Sequence, residues 1–157
     1  MDIIDRRLAL AMLGAAASVP LFPARLLAAD SFVMWRDPGC GCCLAWAKRM
    51  EAAFGRRLPV VDAPDMAAIK RTRGVPVPLQ SCHTALIHGY TVEGHVPPVD
   101  VRRLIATRPA GVTGLAVPGM PLGAPGMEHG AHRDPFKVMA FGPGRRPAVF
   151  AIHAGSR

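Results

Sequence analysis

The chain has 157 residues, half of them apolar, with a formal charge of +8 at neutral pH. That apolar share is enough to bury a core, and it excludes a chain held open by its own charge. The basic clusters Lys70-Arg71-Thr72-Arg73 and Arg145-Arg146 have no interleaved aromatics, so they read as solvated faces and nucleic acid is excluded as a partner.

Residues 1–29 read as an export signal of the twin-arginine kind. Arg6-Arg7 precedes a short apolar run, a small-residue stretch and Pro20, and Ala28-Ala29 is a candidate cleavage end. The apolar run is too short and too broken by Pro20 for a stable membrane span. The expected location is therefore the periplasm, an oxidising compartment in which clustered free thiols need protection. Residues 30–157 form one domain's length of chain and keep a charge of +7 once three arginines and two aspartates leave with the signal.

Residues 32–35 predict a first strand. Pro38-Gly39-Cys40-Gly41-Cys42-Cys43 follows, placing three of the four cysteines within four positions. A helix opening near Cys42 stacks Trp46, Met50 and Phe54 on one face and ends at Gly55. The cysteines then sit at a helix N-terminus, where unpaired N–H groups favour thiolate. Residues 58–62 predict a second strand, with Pro59 at its start or on an edge. Asp65 caps a second helix through Arg73, with Met66 and Ile69 inward and Gly74 closing it. Residues 75–78 read as an extended linker. A hairpin follows around His88-Gly89, and then a helix after Pro97-Pro98 with Val101, Leu104 and Ile105 on one face. Residues 111–130, rich in Gly and Pro, predict neither helix nor strand. A final hairpin turns at Gly142-Pro143-Gly144. His129, His132 and His153 read as exposed or structural.

The hairpin carries a consequence for chemistry. A two-residue turn at His88-Gly89 puts Ile87 opposite Tyr90 and, counting back, Cys82 opposite His95. The order β-α-β-α-β-β-α is that of the thioredoxin fold, in which the first helix N-terminus and the start of the third strand lie together. Ser81-Cys82-His83-Thr84 then stands near the cysteine loop, where thioredoxins carry a proline.

Three readings of the cysteines remain open. A disulfide framework suits three cysteines in four positions poorly. A dithiol redox pair at Cys40 and Cys43 has the right spacing, making the chain a thiol-disulfide oxidoreductase, but leaves Cys42 and Cys82 surplus. A thiolate metal site uses all four. Met120 and Met127, in the repeated Pro-Gly-Met of the stiff loop, either fill apolar gaps or add thioether donors that suit Cu(I) better than zinc. Zinc or an iron–sulfur cluster is the remaining metal reading.

Four ordered motifs resemble a known family: Cys40-Gly41-Cys42-Cys43, Ser81-Cys82-His83-Thr84-Ala85, Glu93-Gly94-His95-Val96-Pro97, and the run from Val117-Pro118-Gly119-Met120-Pro121 to Pro125-Gly126-Met127-Glu128. The chain is similar to the predicted metal-binding domain family that includes the periplasmic copper-resistance protein CopG. That resemblance implies a thioredoxin-like α/β core with a C-terminal Pro/Gly/Met-rich loop and hairpin. It implies copper as the ligand, held as one or more Cu(I) ions, and a role in copper resistance, with Cu(I)/Cu(II) cycling as a redox option. It carries Cys40, Cys42, Cys43 and Cys82 over as copper ligands, and places His83, His95, Met120 and Met127 beside them in the metal site. The implied partners are copper ions and other periplasmic copper-handling proteins.

Overall fold

The computed structural model describes residues 31–156; the export signal expected over residues 1–29 lies outside them. The described chain is a mixed α/β domain built on one seven-stranded sheet. In chain order it runs β1 (Phe32–Arg36), α1 (Gly41–Phe54), β2 (Val60–Asp62), α2 (Met66–Thr72), β3 (His83–Ile87), β4 (Tyr90–Glu93), α3 (Pro98–Thr107), β5 (Gly114–Ala116), β6 (Phe136–Phe141) and β7 (Ala148–His153). The spatial order is β2-β1-β3-β4-β5-β6-β7. The β1–β2 and β4–β5 pairs are parallel, and the other pairs are antiparallel.

Strand alternation divides the core between two faces. On one face, Met34, Ala85, Ile87, Val92, Leu115 and Ala140 pack with Cys43, Trp46 and Met50 of α1 and with Val101 and Leu104 of α3. On the other, Ala116, Phe141 and Met139 pack with Val75 and Leu79 beyond α2. Helix α1 presents Cys43, Trp46, Ala47 and Met50 to the core, a stripe at i, i+3, i+4 and i+7. It ends as expected at Gly55, which is left-handed (φ 62°) and donates its N–H to the Glu51 carbonyl. The indole N–H of Trp46 donates to the Val96 carbonyl at 2.8 Å, tying α1 to the chain just beyond β4.

The central hairpin has the expected register. Ile87 faces Tyr90 and Thr84 faces Glu93. His88 and Gly89 both have positive φ (46° and 82°), the geometry of a two-residue turn whose twist matches the strands. The Gly94 N–H donates to the His83 carbonyl at 2.9 Å, carrying the pairing to the strand ends.

Three expectations need correction. Residues 75–78 do not simply extend: Val77–Leu79 form a 3₁₀ turn, with the Leu79 N–H donating to the Pro76 carbonyl at 2.8 Å. Residues 111–130 do contain a strand, because the small apolar triplet of β5 fits between β4 and β6, which a pattern this short cannot announce. In α2, Asp65 caps the helix through the Ala68 N–H at 2.8 Å, but Lys70 rather than Ile69 joins Met66 in the interior. Among the described residues no helix is long and apolar enough to cross a membrane.

Candidate metal centre

The site forms where the N-terminus of α1 meets the start of β3. Two glycines and a turn from Asp37 lead into the helix, with the Cys40 N–H donating to the Asp37 carbonyl at 3.0 Å. Cys40 is the N-cap residue and makes no side-chain cap bond, so its sulfur is left for other work. Arg36, at the end of β1, donates to the Cys40 carbonyl at 2.7 Å and pairs with Asp62 at 2.9 Å, fixing the loop to the sheet.

The sulfur atoms of Cys40, Cys42, Cys43 and Cys82 all lie within 4.8 Å of one another. Cys40 and Cys43 are joined in a disulfide, with their Cα atoms 5.6 Å apart. Cys42 and Cys82 are free and half-buried, and Cys42 Sγ lies 3.4 Å from Cys40 Sγ. A second group overlaps the first: Cys82, His83 and His95 also bring their ligand atoms within 4.8 Å. Cys82 Sγ is 3.2 Å from His95 Nε2 and 3.4 Å from His83 Nδ1. The convergence of Cys82 and His95 follows from the hairpin register.

Each imidazole is held by its surroundings. His95 Nδ1–H donates to the Pro125 carbonyl at 2.8 Å, which leaves the Nε2 lone pair directed at the sulfur. His83 lies against Trp46 with ring centroids 4.4 Å apart and meets His95 edge-on at 5.0 Å. Among the described residues His83 Nε2 is buried with no hydrogen-bond partner. A buried, unpaired ring nitrogen costs free energy, whichever tautomer the ring adopts.

Protonation favours ligation by these rings. Burial first, then the nearby His95 and Lys70, holds His83 well below the usual imidazole range. Burial also lowers His95, against the pull of the Pro125 carbonyl and Glu128. Both rings are thus neutral donors near pH 7. Burial, with Cys42 beside it, pushes the Cys82 thiol up to about 11. Without a cation this cysteine stays protonated; a bound metal's own charge is what makes it a thiolate.

The loop after β5 closes the site. Gly126 sits against the α1 backbone so tightly that a Cβ there would lie 2.8 Å from the Trp46 nitrogen. Glu128 accepts the Gly126 N–H at 2.7 Å and pairs with Arg49 of α1 at 2.9 Å. Met127 is half-buried against the same cluster as Cys40, Cys42 and Cys82. Met120 points outward and is 57% exposed. His129 and His132 are exposed, with His132 paired to Asp134 at 3.0 Å. His153 pairs with the buried Asp100 at 2.7 Å and stacks on Phe136, a structural role.

The family described as "Protein of unknown function, DUF411" matches residues 79–127, the stretch that carries Cys82, His83, His95 and both loop methionines. No curated protein sequence matches the chain. Among solved structures, copper resistance protein CopG in its form 2 is 41% identical over 77% of this chain and 95% of that one, with a TM-score of 0.72. Its form 1 is 40% identical over 80% of this chain and all of that one, with a TM-score of 0.73. The chain belongs to the CopG family.

For a CopG-family chain the donor set is telling. Neither ligand group contains a carboxylate, so the site favours a soft or borderline metal over calcium or magnesium. With the disulfide closed, Cys42, Cys82, His83 and His95 remain as donors; opening it adds two thiols. Sequence reasoning did not find the Pro125 carbonyl that orients His95, nor the Lys70–Glu93 pair under the strand. The first is a backbone atom with no side-chain signal. The second left a trace, since Lys70 follows Met66 by four residues and so shares its inward face.

Proposed function

We propose that this protein binds copper in a cysteine-rich site and acts in copper resistance. The carrying observation is the convergence of four sulfurs and two neutral imidazoles at one end of the sheet. The copper-resistance proteins that share the family support the choice of metal. Copper fits these residues: thiolates favour Cu(I), and imidazoles tolerate both oxidation states. Cys42 and Cys82 would hold copper as Cu(I), joined by Cys40 and Cys43 once a thiol reductant has opened their disulfide, and four thiolates would leave room for more than one ion. His83 and His95 complete the site from the strand side, and Met127 covers it. The chemistry copper supplies when bound is a one-electron Cu(I)/Cu(II) couple. The chain's own part is to orient His95 through Pro125, to keep both rings neutral, and to give up the Cys82 proton on binding.

The fold reading that goes with this is thioredoxin-like: the β1-α1-β2-α2-β3-β4-α3 order as the core, with the methionine loop and β5–β7 as an extension. The protein is read as periplasmic from residues 1–29, with copper ions and other periplasmic copper-handling proteins as partners.

A second reading has its own observation. The Cys40–Cys43 disulfide at a helix N-terminus suits a thiol-disulfide oxidoreductase, whose dithiol gives up two electrons and two protons on closing. One experiment separates the two. The protein is purified without oxygen after growth with copper, its metal is measured, and its thiols are counted after denaturation and metal removal. One or more equivalents of copper with four thiols supports the copper site. No metal with two thiols shifts the function to the disulfide.

A further inference from the structure

The sheet face away from Trp46 carries a charge pair at the root of the site that no ligand role uses. Glu93, at the end of β4, is fully buried, and Lys70 of α2 is 6% exposed. Lys70 Nζ donates to Glu93 Oε1 and, at 3.2 Å, to Thr84 Oγ1. The Thr84 hydroxyl donates to Glu93 Oε2 at 2.6 Å. Among the described residues the remaining donor to this carboxylate is the backbone N–H of Ser81, at 2.6 Å to Oε1. Ser81 immediately precedes Cys82.

Ser81 is gripped from two further sides. Its hydroxyl donates to the Gly119 carbonyl at 2.7 Å. Gly94, left-handed at φ 68°, lies so close that a Cβ on it would sit 2.6 Å from Ser81 Oγ. A buried ion pair is a poor stabilising device, because the desolvation of both charges offsets their attraction. An apolar pair of similar volume would serve the core as well. What it would not supply is an acceptor for the Ser81 N–H.

We propose that the Lys70–Glu93 pair is a positioning device for Cys82: it anchors the Ser81 backbone so that the Cys82 sulfur is held within reach of His95 and of the α1 cysteines. Glu93 supplies the acceptor, Lys70 and Thr84 hold its carboxylate in place, and neither Lys70 nor Glu93 touches the metal. The inference rests on the copper reading only for its consequence; the placement of Cys82 has a readout that needs no copper.

The test compares the Lys70→Met/Glu93→Leu double variant, which fills the space without an acceptor, with Lys70→Met/Glu93→Gln, which keeps an acceptor for Ser81. Ser81→Pro is a separate variant that deletes the N–H while leaving the charge pair, and Ser81→Ala, expected to react more slowly than Ser81→Pro, controls for the hydroxyl bonds to Gly119 and Cys82 that the proline also removes; position 81 follows an extended Gln80 (φ −66°, ψ 142°). Unfolding midpoints identify the variants that fold. In the metal-free, reduced proteins, the rate of Cys82 alkylation by N-ethylmaleimide is followed on its own peptide. The Leu double variant and Ser81→Pro are expected to react about fivefold faster than the parent, the weight of one hydrogen bond, and the Gln variant at the parent rate. With Cu(I) as the probe, the same two variants lose the ultraviolet thiolate–copper circular dichroism that Cys82→Ser loses, and the Gln variant keeps it. Unchanged alkylation in the folded variants overturns the proposal. A parent that shows the alkylation pattern but takes up no Cu(I) sinks the copper reading and leaves the positioning role standing.

Discussion

Replacing Gly126 with alanine sets the methionine loop against helix α1. Gly126 is left-handed, at φ 87°, and a Cβ there would lie 2.8 Å from the Trp46 nitrogen and 3.2 Å from the Ala45 carbonyl carbon. The helix cannot retreat, because Trp46 is buried and its indole is bonded to Val96. The loop must therefore lift by about 0.6 Å to reach ordinary contact near 3.4 Å. That movement stretches the 2.8 Å bond from His95 Nδ1 to the Pro125 carbonyl to the edge of usefulness. The left-handed backbone costs ~1–2 kcal/mol and the lost bond ~1 kcal/mol more. Gly119→Ala is the matched control, with a similar φ of 70° and no atom of the described residues within 4 Å of its Cβ. In thermal unfolding of the metal-free protein, the control is expected to lose about 5 °C and Gly126→Ala about 10 °C. Nitrogen NMR of His95 should report a single tautomer in the parent and the control, and a mixture in Gly126→Ala. Equal melting losses, or an unchanged His95 tautomer in Gly126→Ala, would refute the loop's role in orienting the ring.

Cys82→Ser should lower the copper equivalents bound while leaving the Cys40–Cys43 disulfide able to close; metal analysis and thiol counting check both, and unchanged metal content would rule out a four-cysteine site. Because burial raises the Cys82 proton affinity in the folded state to a pKa of about 11, from an ordinary 9.0, that proton stabilises the metal-free fold below pH 9. The contribution should fade as pH rises from 9 through 11, visible as a falling urea midpoint that Cys82→Ser flattens. For the same reason Cu(I) uptake at pH 7 should release the Cys82 proton, measured with an indicator dye in weak buffer. Met127→Leu should weaken Cu(I) binding about tenfold in competition with a chromophoric chelator, while the exposed Met120→Leu changes it by less than about twofold. Equal effects from the two methionines would remove Met127 from the site.

Much of this centre was written in short-range pattern. The helix after the cysteines could be read from the stacking of Trp46 and Met50 and from Gly55, because capping and the 3.6-residue period act within one segment. The meeting of Cys82 and His95 followed from His88-Gly89, because a two-residue turn and the period of two determine every pair in a hairpin. Other features depended on segments far apart in the chain. The bond from His95 to Pro125 spans 30 residues and uses a carbonyl that every residue possesses. Lys70 enters the interior only because Glu93 and Thr84, on other elements, meet it there. The difference between Met120 and Met127 likewise appears only once Gly126 is packed on α1. The sequence by itself determined the helices, the central hairpin and its register, since those obey local hydrogen-bonding geometry, but not the short β5 or the 3₁₀ turn at Val77–Leu79. The tertiary structure decided which donors face one another, since a lone pair or a buried charge finds its partner only through packing of distant segments.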